Sequence, residues 1–506
     1  MLKRICLLFI FALFAFACKK NGEKNQDNPD TGISVKAGMD LVGKVMAGTA
    51  PLNGVVVSDG YSVVRSDANG VYQMKRNAGA RFVFVSIPAD CKVPVKENNK
   101  IAFYQVLDQD QKVIYANFLL TAGEKETDFK LIAVADPQFA TEFEYNRFSN
   151  ETVPDLLETQ KALEASGKPV YGVVLGDFVW DQMSMFSRFG YEFSRFSFPF
   201  FTVIGNHDYN MTIKNDDVKA AANYEQNFGP TYYSFNRGEC HFVILDDIEY
   251  SGSGESGKGY KTNVSPEQLA WLEKDLYFVP KDKLVIVCLH VNTKTRFTET
   301  SISNNEALYK LLNGYQARVL SGHTHWHGNV SIGTNITEHI HGAACGAFWS
   351  SSINRDGSPN GYAVYEVGGN KVTNHYFKAT GFGKAYQIKL YPINSWALRK
   401  SDVIANIWDW HTDWKSVKVY ENGVLKGDMP QFEEKNAKDP YAKWLLDVSG
   451  SIINDAAADA VVTDHLFYYR PQSNDAIIKV VATDSYGNEY TSEIKANATL
   501  DFPGPV

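Results

Sequence analysis

The chain has 506 residues, of which 44% are hydrophobic and 21% charged, and its formal net charge at pH 7 is -8. This composition is that of a globular protein long enough for about three domains, each with its own core. The acidic balance, with no stripe of Lys and Arg, argues against nucleic acid as a held partner.

The first 18 residues resemble a bacterial lipoprotein signal. Two basic residues precede an apolar run that is too short for a normal membrane-spanning helix, and the run ends at Ala17 and Cys18. The resemblance implies export and a lipidated Cys18 that anchors the chain in the bacterial envelope, at the outer membrane or in the periplasm. Phe16 stands where a small residue is usual, so there are two alternatives. The chain could be secreted after ordinary signal cleavage, or it could keep the apolar run as a membrane anchor. Residues 19–34 are polar and predict a flexible tether.

Residues 35–125 show short alternating runs that are broken by Gly, Asn and Asp. Strands of this kind, with SDGY and DANG as turns, predict a small β-sandwich. The stretch SDANGVYQM resembles the recurring turn of carboxypeptidase-regulatory or transthyretin-like modules. We find no catalytic constellation in this segment.

Residues 128–380 change to apolar runs of four to seven residues that alternate with helical stretches. The runs include KLIAVADPQ, YGVVLGD, FFTVIGNHD, KLVIVCLH and ARVLSGHTH. Helices are predicted over 153–167 and from Pro266, with Ser265 as N-cap and Gln268 completing a capping box. Continuous apolar strands between helices predict an α/β domain whose sheet is buried on both faces.

Residues 381–506 return to strands and predict a second β-sandwich. Trp408, Trp410 and Trp414 lie at alternate or near-alternate positions of one predicted strand. We interpret them as core and edge packing. A surface that binds a ligand, such as a glycan, is the alternative.

Polar residues with metal-ligand chemistry follow five of the apolar runs in the central segment. In chain order they are Asp136 and Gln138, Asp177, Asn206 with His207 and Asp208, His290, and His323 with His325. Carboxylate, amide and imidazole groups suit divalent ions, and two ions about 3.5–4 Å apart need a carboxylate between them. Asp177 is the natural bridge. We expect these side chains to meet along one edge of the sheet, at the carboxyl ends of its strands.

These motifs resemble those of the calcineurin-like metallophosphoesterases, whose pattern is D-x-H, G-D, G-N-H-D/E, H and G-H-x-H. The resemblance covers roughly residues 129–380 and implies two packed mixed sheets flanked by helices. The three-part layout, with an all-β sandwich on each side, resembles the secreted lipoprotein members typical of Bacteroidota.

The resemblance also implies roles for the residues. One metal ion would be held by Asp136, Asp177, His325 and position 138, and the other by Asp177, Asn206, His290 and His323. His207 would lie near the leaving oxygen, oriented by Asp208. Gln138 stands where a histidine is commonest, which leaves open the affinity of the first site and its preference among Mn, Fe and Zn.

The function that follows is hydrolysis of phosphate mono- or diesters by attack of a metal-bridging hydroxide. The substrate would be a small-molecule or lipid-linked phosphate ester, and the loops do not separate these classes. One alternative is a non-catalytic surface-binding lipoprotein with a structural metal site. Another is a metal-capturing protein that uses His323, His325 and His327 alone.

The remaining histidines and cysteines receive simpler interpretations. His327 is open as a substrate-edge or structural residue. The other histidines are expected to be packed or solvent-facing: His241, His339, His341, His375, His411 and His465. No CxxC pair occurs, so a zinc ribbon has no support. We expect Cys240 and Cys288 to be buried free thiols, and a disulfide formed after export is the alternative.

Overall fold

The computed structural model describes residues 32–252, 259–295, 301–433, 436–449 and 459–500. The predicted lipoprotein signal, Cys18 and most of the predicted tether lie outside the described residues. No helix within the described ranges is both long and apolar enough to cross a membrane.

The N-terminal part consists of two sheets. Its strands are β1 (Leu41–Ala47), β2 (Ala50–Pro51), β3 (Val56–Ser58), β4 (Val63–Arg65), β5 (Val71–Met74), β6 (Phe82–Val85), β7 (Tyr104–Val106), β8 (Ile114–Tyr115) and β9 (Phe118–Leu120). One sheet has the order β2-β1-β5, with β8 and β9 also paired to β1, and the other has the order β4-β3-β6-β7. A short 3-10 turn spans Glu97–Asn99.

The central part alternates strands with helices. Its strands are β10 (Asp128–Val134), β11 (Val170–Leu175), β12 (Phe200–Val203), β13 (Tyr233–Arg237), β14 (Cys240–Ile244), β15 (Ile248–Tyr250), β16 (Tyr260–Thr262), β17 (Leu284–Cys288), β18 (Gln316–Ser321), β19 (Gly328–Ile332), β20 (Ile336–Ile340), β21 (Gly361–Gly368) and β22 (Lys371–Ala379). Its helices are α1 (Glu142–Arg147), α2 (Val153–Glu164), α3 (Phe186–Ser194), α4 (Asp217–Ala220), α5 (Ala222–Phe228), α6 (Pro266–Leu276) and α7 (Asn305–Leu312). A π-helical turn over Phe148–Thr152 joins α1 to α2, and 3-10 turns span Met183–Met185 and Asn206–Asp208.

Two mixed sheets form this central part, as the family resemblance implied. The first has the order β12-β11-β10-β21-β22 and the second β13-β14-β17-β18-β20-β19. Strands β10, β11 and β12 run parallel to one another, as do β14, β17, β18 and β20. Every residue of β11, β12 and β17 is buried, because helices and the opposite sheet cover both faces.

Helix α6 begins as the sequence predicts, with one correction. The Ser265 hydroxyl accepts a hydrogen bond from the Gln268 backbone N–H, as an N-cap does. The Gln268 side chain does not return to Ser265 to complete a capping box. It bonds the backbone of Asp246, where Nε2 donates to the carbonyl and Oε1 accepts from the N–H, so it ties α6 to the loop after β14.

The C-terminal part has two further sheets. Its strands are β23 (Lys389–Tyr391), β24 (Val403–Asn406), β25 (Ser416–Glu421), β26 (Val424–Asp428), β27 (Leu466–Tyr469), β28 (Ile477–Thr483) and β29 (Glu489–Lys495). The sheet orders are β23-β24-β27 and β26-β25-β28-β29. It also contains a 3-10 turn at Ala397–Arg399 and helix α8 (Pro440–Ser449), so this strand-rich part is not purely β.

Trp408, Trp410 and Trp414 of this part pack against neighbouring aromatic rings. Trp408 is buried against Tyr386, Trp410 lies against Phe467 and Trp414 against Tyr490. The prediction of packing is confirmed, but its geometry was wrong, since the three residues lie in the connection between β24 and β25 rather than along a strand.

The N-terminal sheets dock tightly on the central part. The guanidinium of Arg237, at the end of β13, is 1% exposed and donates to the carbonyls of Pro88 and Cys91. The Trp271 indole N–H of α6 donates to Ser58 of β3 at 3.0 Å. All four cysteines among the described residues are buried free thiols, which confirms the expectation for Cys240 and Cys288.

Candidate metal centre

The predicted ligands come together at the junction of the two central sheets. Three of the loops that carry them follow β10, β11 and β12 of the first sheet, and two follow β17 and β18 of the second. The sequence correctly predicted that the ligands lie at the carboxyl ends of strands. It placed these strands in one sheet, whereas they belong to two. Facing carboxyl ends allow donors to surround a site from opposite sides.

Asp177 lies in the middle of the cluster. Its Oδ1 is 3.3 Å from His290 Nε2 and accepts from the His207 backbone N–H at 2.9 Å. Its Oδ2 accepts from Gln138 Nε2 at 3.2 Å. The two carboxylate oxygens therefore face different groups of side chains, which is the arrangement that a bridging ligand requires.

His290, His323 and Asn206 form one of these groups. His290 Nε2 is 3.1 Å from Asn206 Oδ1 and 3.2 Å from His323 Nδ1. One ligand atom from each of Asp177, His290 and His323 lies within 4.8 Å of the other two. The Nδ1–H of His290 donates to the Leu175 carbonyl at 2.8 Å, so Nε2 is the nitrogen that faces the cluster, and a cation bound there would displace its proton.

Asp136, His325 and Gln138 form the other group. His325 Nδ1–H donates to the Gly346 carbonyl at 2.7 Å, and its Nε2 lies 3.7 Å from Asp136 Oδ1. The backbone N–H of His323 reaches both carboxylate oxygens of Asp136, at 3.1 and 3.0 Å. Gln138 is within the cluster, but its amide nitrogen rather than its oxygen is directed at Asp177. Ligation by Gln138 would need the amide to turn over.

Burial governs the charge of the cluster. Burial lowers the pKa of His323 to about 3 and that of His325 to about 4, so both imidazoles are neutral. Burial also disfavours the charged forms of His290 and Asp177, but their mutual attraction outweighs it, so the pKa of His290 rises to about 10 and that of Asp177 falls. Burial raises the pKa of Asp136 to about 8 against the opposing influence of His290.

The donors fit divalent cations. The cluster offers carboxylate and amide oxygens together with imidazole nitrogens, and neutral histidines with one ring N–H anchored on a carbonyl have the other nitrogen available as a ligand. The backbone also contributes to the arrangement, because five of the candidate ligands have left-handed φ angles. They are Asp136 (48°), Gln138 (39°), Asp177 (50°), His323 (68°) and His325 (54°).

Glycines leave room for the carboxylates. A Cβ on Gly205 would lie 2.3 Å from Asp177 Oδ1, and a Cβ on Gly322 would lie 2.6 Å from Asp136 Oδ2. Real side chains do not approach this closely, so the carboxylates occupy space that only glycine provides. The glycines of LGD, GNHD and SGHTH are therefore part of the site.

His207 lies beside this cluster, but its predicted partner was wrong. Its Nδ1 is 2.9 Å from Asp181 Oδ1. Asp208 does not orient His207, because its carboxylate is fully buried and accepts the backbone N–H groups of Phe178, Val179 and Gly205. Asp208 thus holds the backbone of the loops that carry Asp177 and Asn206, and Asp181 takes the orienting position.

Three further residues of the site escaped sequence reasoning. Trp180 lies against the His207 ring, with centroids 5.3 Å apart, and against Phe348 at 4.9 Å. Phe348 in turn packs on His325 at 4.5 Å. Asp247 accepts the backbone N–H groups of His290 and Val291, which fixes the loop after β17. Trp180 and Asp181 directly follow LGDFV, so proximity to Asp177 in the chain was the only available signal.

Burial marks the open side of the cluster. Asp136, Asp177 and His290 are at most 1% exposed, whereas the side chain of His207 is 25% exposed and that of Asp181 31%. A substrate would approach from the side of His207, past the half-buried rings of Trp180 and Phe348.

Three family profiles match the chain in succession. They are described as the N terminal of calcineurin-like phosphoesterase (residues 39–123), calcineurin-like phosphoesterase (residues 129–327) and the C terminal of calcineurin-like phosphoesterase (residues 338–490). Together they cover most of the chain, including all the predicted ligands. No curated protein matches it.

Solved structures that match part of the chain include a dimetal phosphatase from Danio rerio, at 15% identity over 50% of this chain and 96% of that one, with a TM-score of 0.36. A purple acid phosphatase from yellow lupin matches at 14% identity over 57% of this chain and 54% of its own length, with a TM-score of 0.32. A 5'-nucleotidase from Candida albicans matches at 13% identity over 49% and 51% of the respective chains, with a TM-score of 0.32.

Proposed function

Because the chain belongs to the calcineurin-like phosphoesterases, we propose that it hydrolyses phosphate mono- or diesters with the aid of two divalent metal ions. The observation that carries the proposal is the position of Asp177, whose two oxygens face two separate sets of donors. A single structural ion would need only one of these sets.

In this proposal one ion is held by Asp136, Asp177, His325 and Gln138, and the other by Asp177, Asn206, His290 and His323. When bound, the ions would supply positive charge for the phosphoryl oxygens and lower the pKa of a water molecule that acts as the nucleophile. Mn, Fe and Zn all accept this mixture of oxygen and nitrogen donors.

His207 would donate a proton to the departing oxygen. Burial lowers its pKa, but the nearby carboxylates of Asp177 and Asp181 outweigh this effect and raise it. A raised pKa favours the protonated imidazole, which is the form that a general acid requires. Asp181 holds Nδ1, which leaves Nε2 to face the substrate.

The environment of the enzyme is a second part of the proposal. The resemblance of residues 1–18 to a lipoprotein signal supports export and anchoring through a lipidated Cys18, which would place the site near lipid-linked as well as soluble phosphate esters. Cys18→Ser should move the full chain from the membrane fraction to the soluble fraction. Equal membrane retention of the variant would favour an uncleaved apolar anchor.

Release of p-nitrophenol from the aryl esters, and of inorganic phosphate from the alkyl phosphates and nucleotides, tests the activity. The purified chain would be stripped of metal, then supplied with Mn²⁺, Zn²⁺, Fe²⁺ or Mg²⁺ and offered p-nitrophenyl phosphate, bis-p-nitrophenyl phosphate, alkyl phosphates and nucleotides. We expect metal-dependent hydrolysis that Asp177→Asn abolishes. Asp413→Asn, which alters an aspartate paired with His411 in the C-terminal part, is the matched control and should retain activity.

If the folded chain binds two ions but hydrolyses none of these esters with any metal, the enzymatic proposal fails for this panel. A non-catalytic binding protein with a structural metal site would then be favoured. Stoichiometric metal binding without turnover distinguishes that outcome from loss of the metal.

A further inference from the structure

A second group of histidines lies outside the centre described above, where the central and C-terminal parts meet. We call it the interdomain histidine cluster, and it consists of His327, His339, His375 and Asp409. His327 precedes β19, His339 lies on β20 of the second sheet, His375 on β22 of the first sheet and Asp409 between β24 and β25. The cluster thus joins both central sheets to the C-terminal part.

The four side chains converge on a small volume. One ligand atom from each of His327, His339 and Asp409 lies within 4.8 Å of the other two. The two carboxylate oxygens of Asp409 face different rings, since Oδ1 is 3.4 Å from His339 Nε2 and Oδ2 is 3.4 Å from His375 Nε2. The imidazoles therefore surround the carboxylate with their ring nitrogens directed inward.

These inward nitrogens lack hydrogen-bond partners among the described residues. Both ring nitrogens of the buried His327 form no hydrogen bond, and Nε2 of His339 and Nε2 of His375 have only the contacts with Asp409 at 3.4 Å. A buried polar atom without a partner costs about 1–3 kcal/mol, so the two nitrogens of His327 beside these poorly satisfied ones call for an explanation. A cation at the centre of the cluster would satisfy them together.

The Nδ1 atoms of His339 and His375, which face away from the cluster, contact hydroxyl groups, as the second nitrogen of a metal-binding histidine commonly does. Nδ1 of His339 bonds the Tyr365 hydroxyl, and Nδ1 of His375 is 3.1 Å from the Tyr486 hydroxyl. Asn329 donates to Asp409 Oδ1 at 3.0 Å. Such partners fix the ring orientation and leave Nε2 for a ligand.

The set of donors also suits a cation. Three imidazole nitrogens and one carboxylate oxygen form a four-donor set suited to tetrahedral Zn²⁺.

We propose that the interdomain histidine cluster binds a third divalent transition-metal ion, of the Zn²⁺ class, through His327, His339, His375 and Asp409. The site shares no ligand with the candidate metal centre and does not depend on the proposed hydrolysis. Three of the four side chains are buried and together they supply the four ligands of a structural Zn²⁺ site, so we assign the ion a structural role. It links the loop of SGHTHWH, which carries His323 and His325, to the C-terminal part.

Metal content of the full chain tests the proposal. Parent, His339→Gln, Asp409→Asn and His411→Gln proteins would be loaded with Zn²⁺, dialysed and measured by elemental analysis. We expect His339→Gln and Asp409→Asn to retain one zinc fewer per chain than the parent and to unfold at a lower temperature. His411→Gln is the control, because His411 contacts Asp413 and Ser331 outside the cluster, and its zinc content should equal that of the parent.

Anomalous diffraction at the zinc edge provides a readout that needs no variant to fold. Crystals of the parent soaked in Zn²⁺ should show a peak bounded by the four side chains, in addition to any peak beside Asp177. Absence of that peak, or unchanged zinc content in folded His339→Gln and Asp409→Asn proteins, would overturn the proposal. The cluster would then be a polar core of hydrogen-bonded histidines. Because the two centres are counted separately, failure here leaves the proposed hydrolysis untouched.

Discussion

The contact between His207 and Asp181 gives the sharpest test of the proposed chemistry. Asp181→Asn keeps the size of the side chain and an oxygen that accepts from Nδ1, but removes the negative charge 2.9 Å from the ring. The variant should therefore weaken the protonated form of His207 without moving the metal ligands. We expect kcat to fall while the metal content stays at that of the parent.

The structure sets the size of this effect. A hydrogen bond to a charged group contributes about 1.5–3 kcal/mol, and an exposed pair contributes less because water screens it. With the side chains of His207 and Asp181 25% and 31% exposed, we expect a loss of about 1–2 kcal/mol, or roughly 5- to 30-fold in kcat. His207→Asn removes the acid itself and should cost about 10²–10⁴-fold.

The assay compares leaving groups. Phosphate release from p-nitrophenyl phosphate and from an alkyl phosphate would be measured for the parent, Asp181→Asn and His207→Asn, with Asp413→Asn as the control for loss of a His–Asp pair elsewhere. An alkoxide needs a proton far more than p-nitrophenolate does, so both site variants should lose more activity on the alkyl ester. The control should show no selectivity.

Asp208→Asn separates the two candidate partners of His207. This substitution places an amide group against three backbone N–H donors, so we expect a lower melting temperature and weaker metal retention. The assignment of Asp181 as the partner of His207 would be refuted if Asp181→Asn lost equal activity on both esters. It would also be refuted if only Asp208→Asn showed a dependence on the leaving group. Metal loss in His207→Asn would instead make His207 a ligand.

Three other predictions follow from the structure. Gly205→Ala should abolish metal retention and activity, because the Cβ of the new alanine would lie 2.3 Å from Asp177 Oδ1. Elemental analysis of the purified variant measures the retained metal, and full retention would contradict the prediction. Gln138→His should raise the amount of metal that the candidate metal centre retains after mild chelation toward two ions per chain, because imidazole binds Zn²⁺ better than an amide oxygen does. Unchanged retention would show that position 138 is no ligand. Burial raises the pKa of Glu225 in the folded chain to about 7 despite the adjacent Arg81. The protonated side chain therefore stabilises the fold fully below about pH 4, and this stabilisation disappears as the pH rises through 7. The free energy of unfolding should therefore fall by up to ~3 kcal/mol between pH 4 and pH 8, and Glu225→Gln should remove that part of the slope in urea titrations.

The sequence predicted which residues converge at the candidate metal centre because the signal for them is local. A buried apolar run that ends in a polar residue marks the carboxyl end of a strand, and Asp136, Asp177, Asn206 and His290 all carry that signal within a few residues. The division of these strands between two sheets is not local, because strands of either sheet have the same continuous apolar pattern. It depends on which strands pair, as with β21, which lies beside β10 although more than 200 residues separate them.

Partners that are distant in the chain were missed for the same reason. Asp181 could not be preferred over Asp208, which directly follows His207, until the fold showed that the Asp208 carboxylate is occupied by backbone N–H groups. His339 and His375 appeared as ordinary packed histidines because each stands alone within its own strand. Their meeting with Asp409 depends on the position of the C-terminal part.

The left-handed backbone of the candidate metal centre has a consequence for its evolution. Five non-glycine residues with φ between 39° and 68° each hold a conformation that costs of order 1 kcal/mol or more, and the rest of the fold maintains them. Glycine at Asp136 or Asp177 would relieve that strain while removing a ligand. Selection for thermal stability alone would thus favour loss of these two candidate ligands, so stability and metal binding oppose each other at both positions.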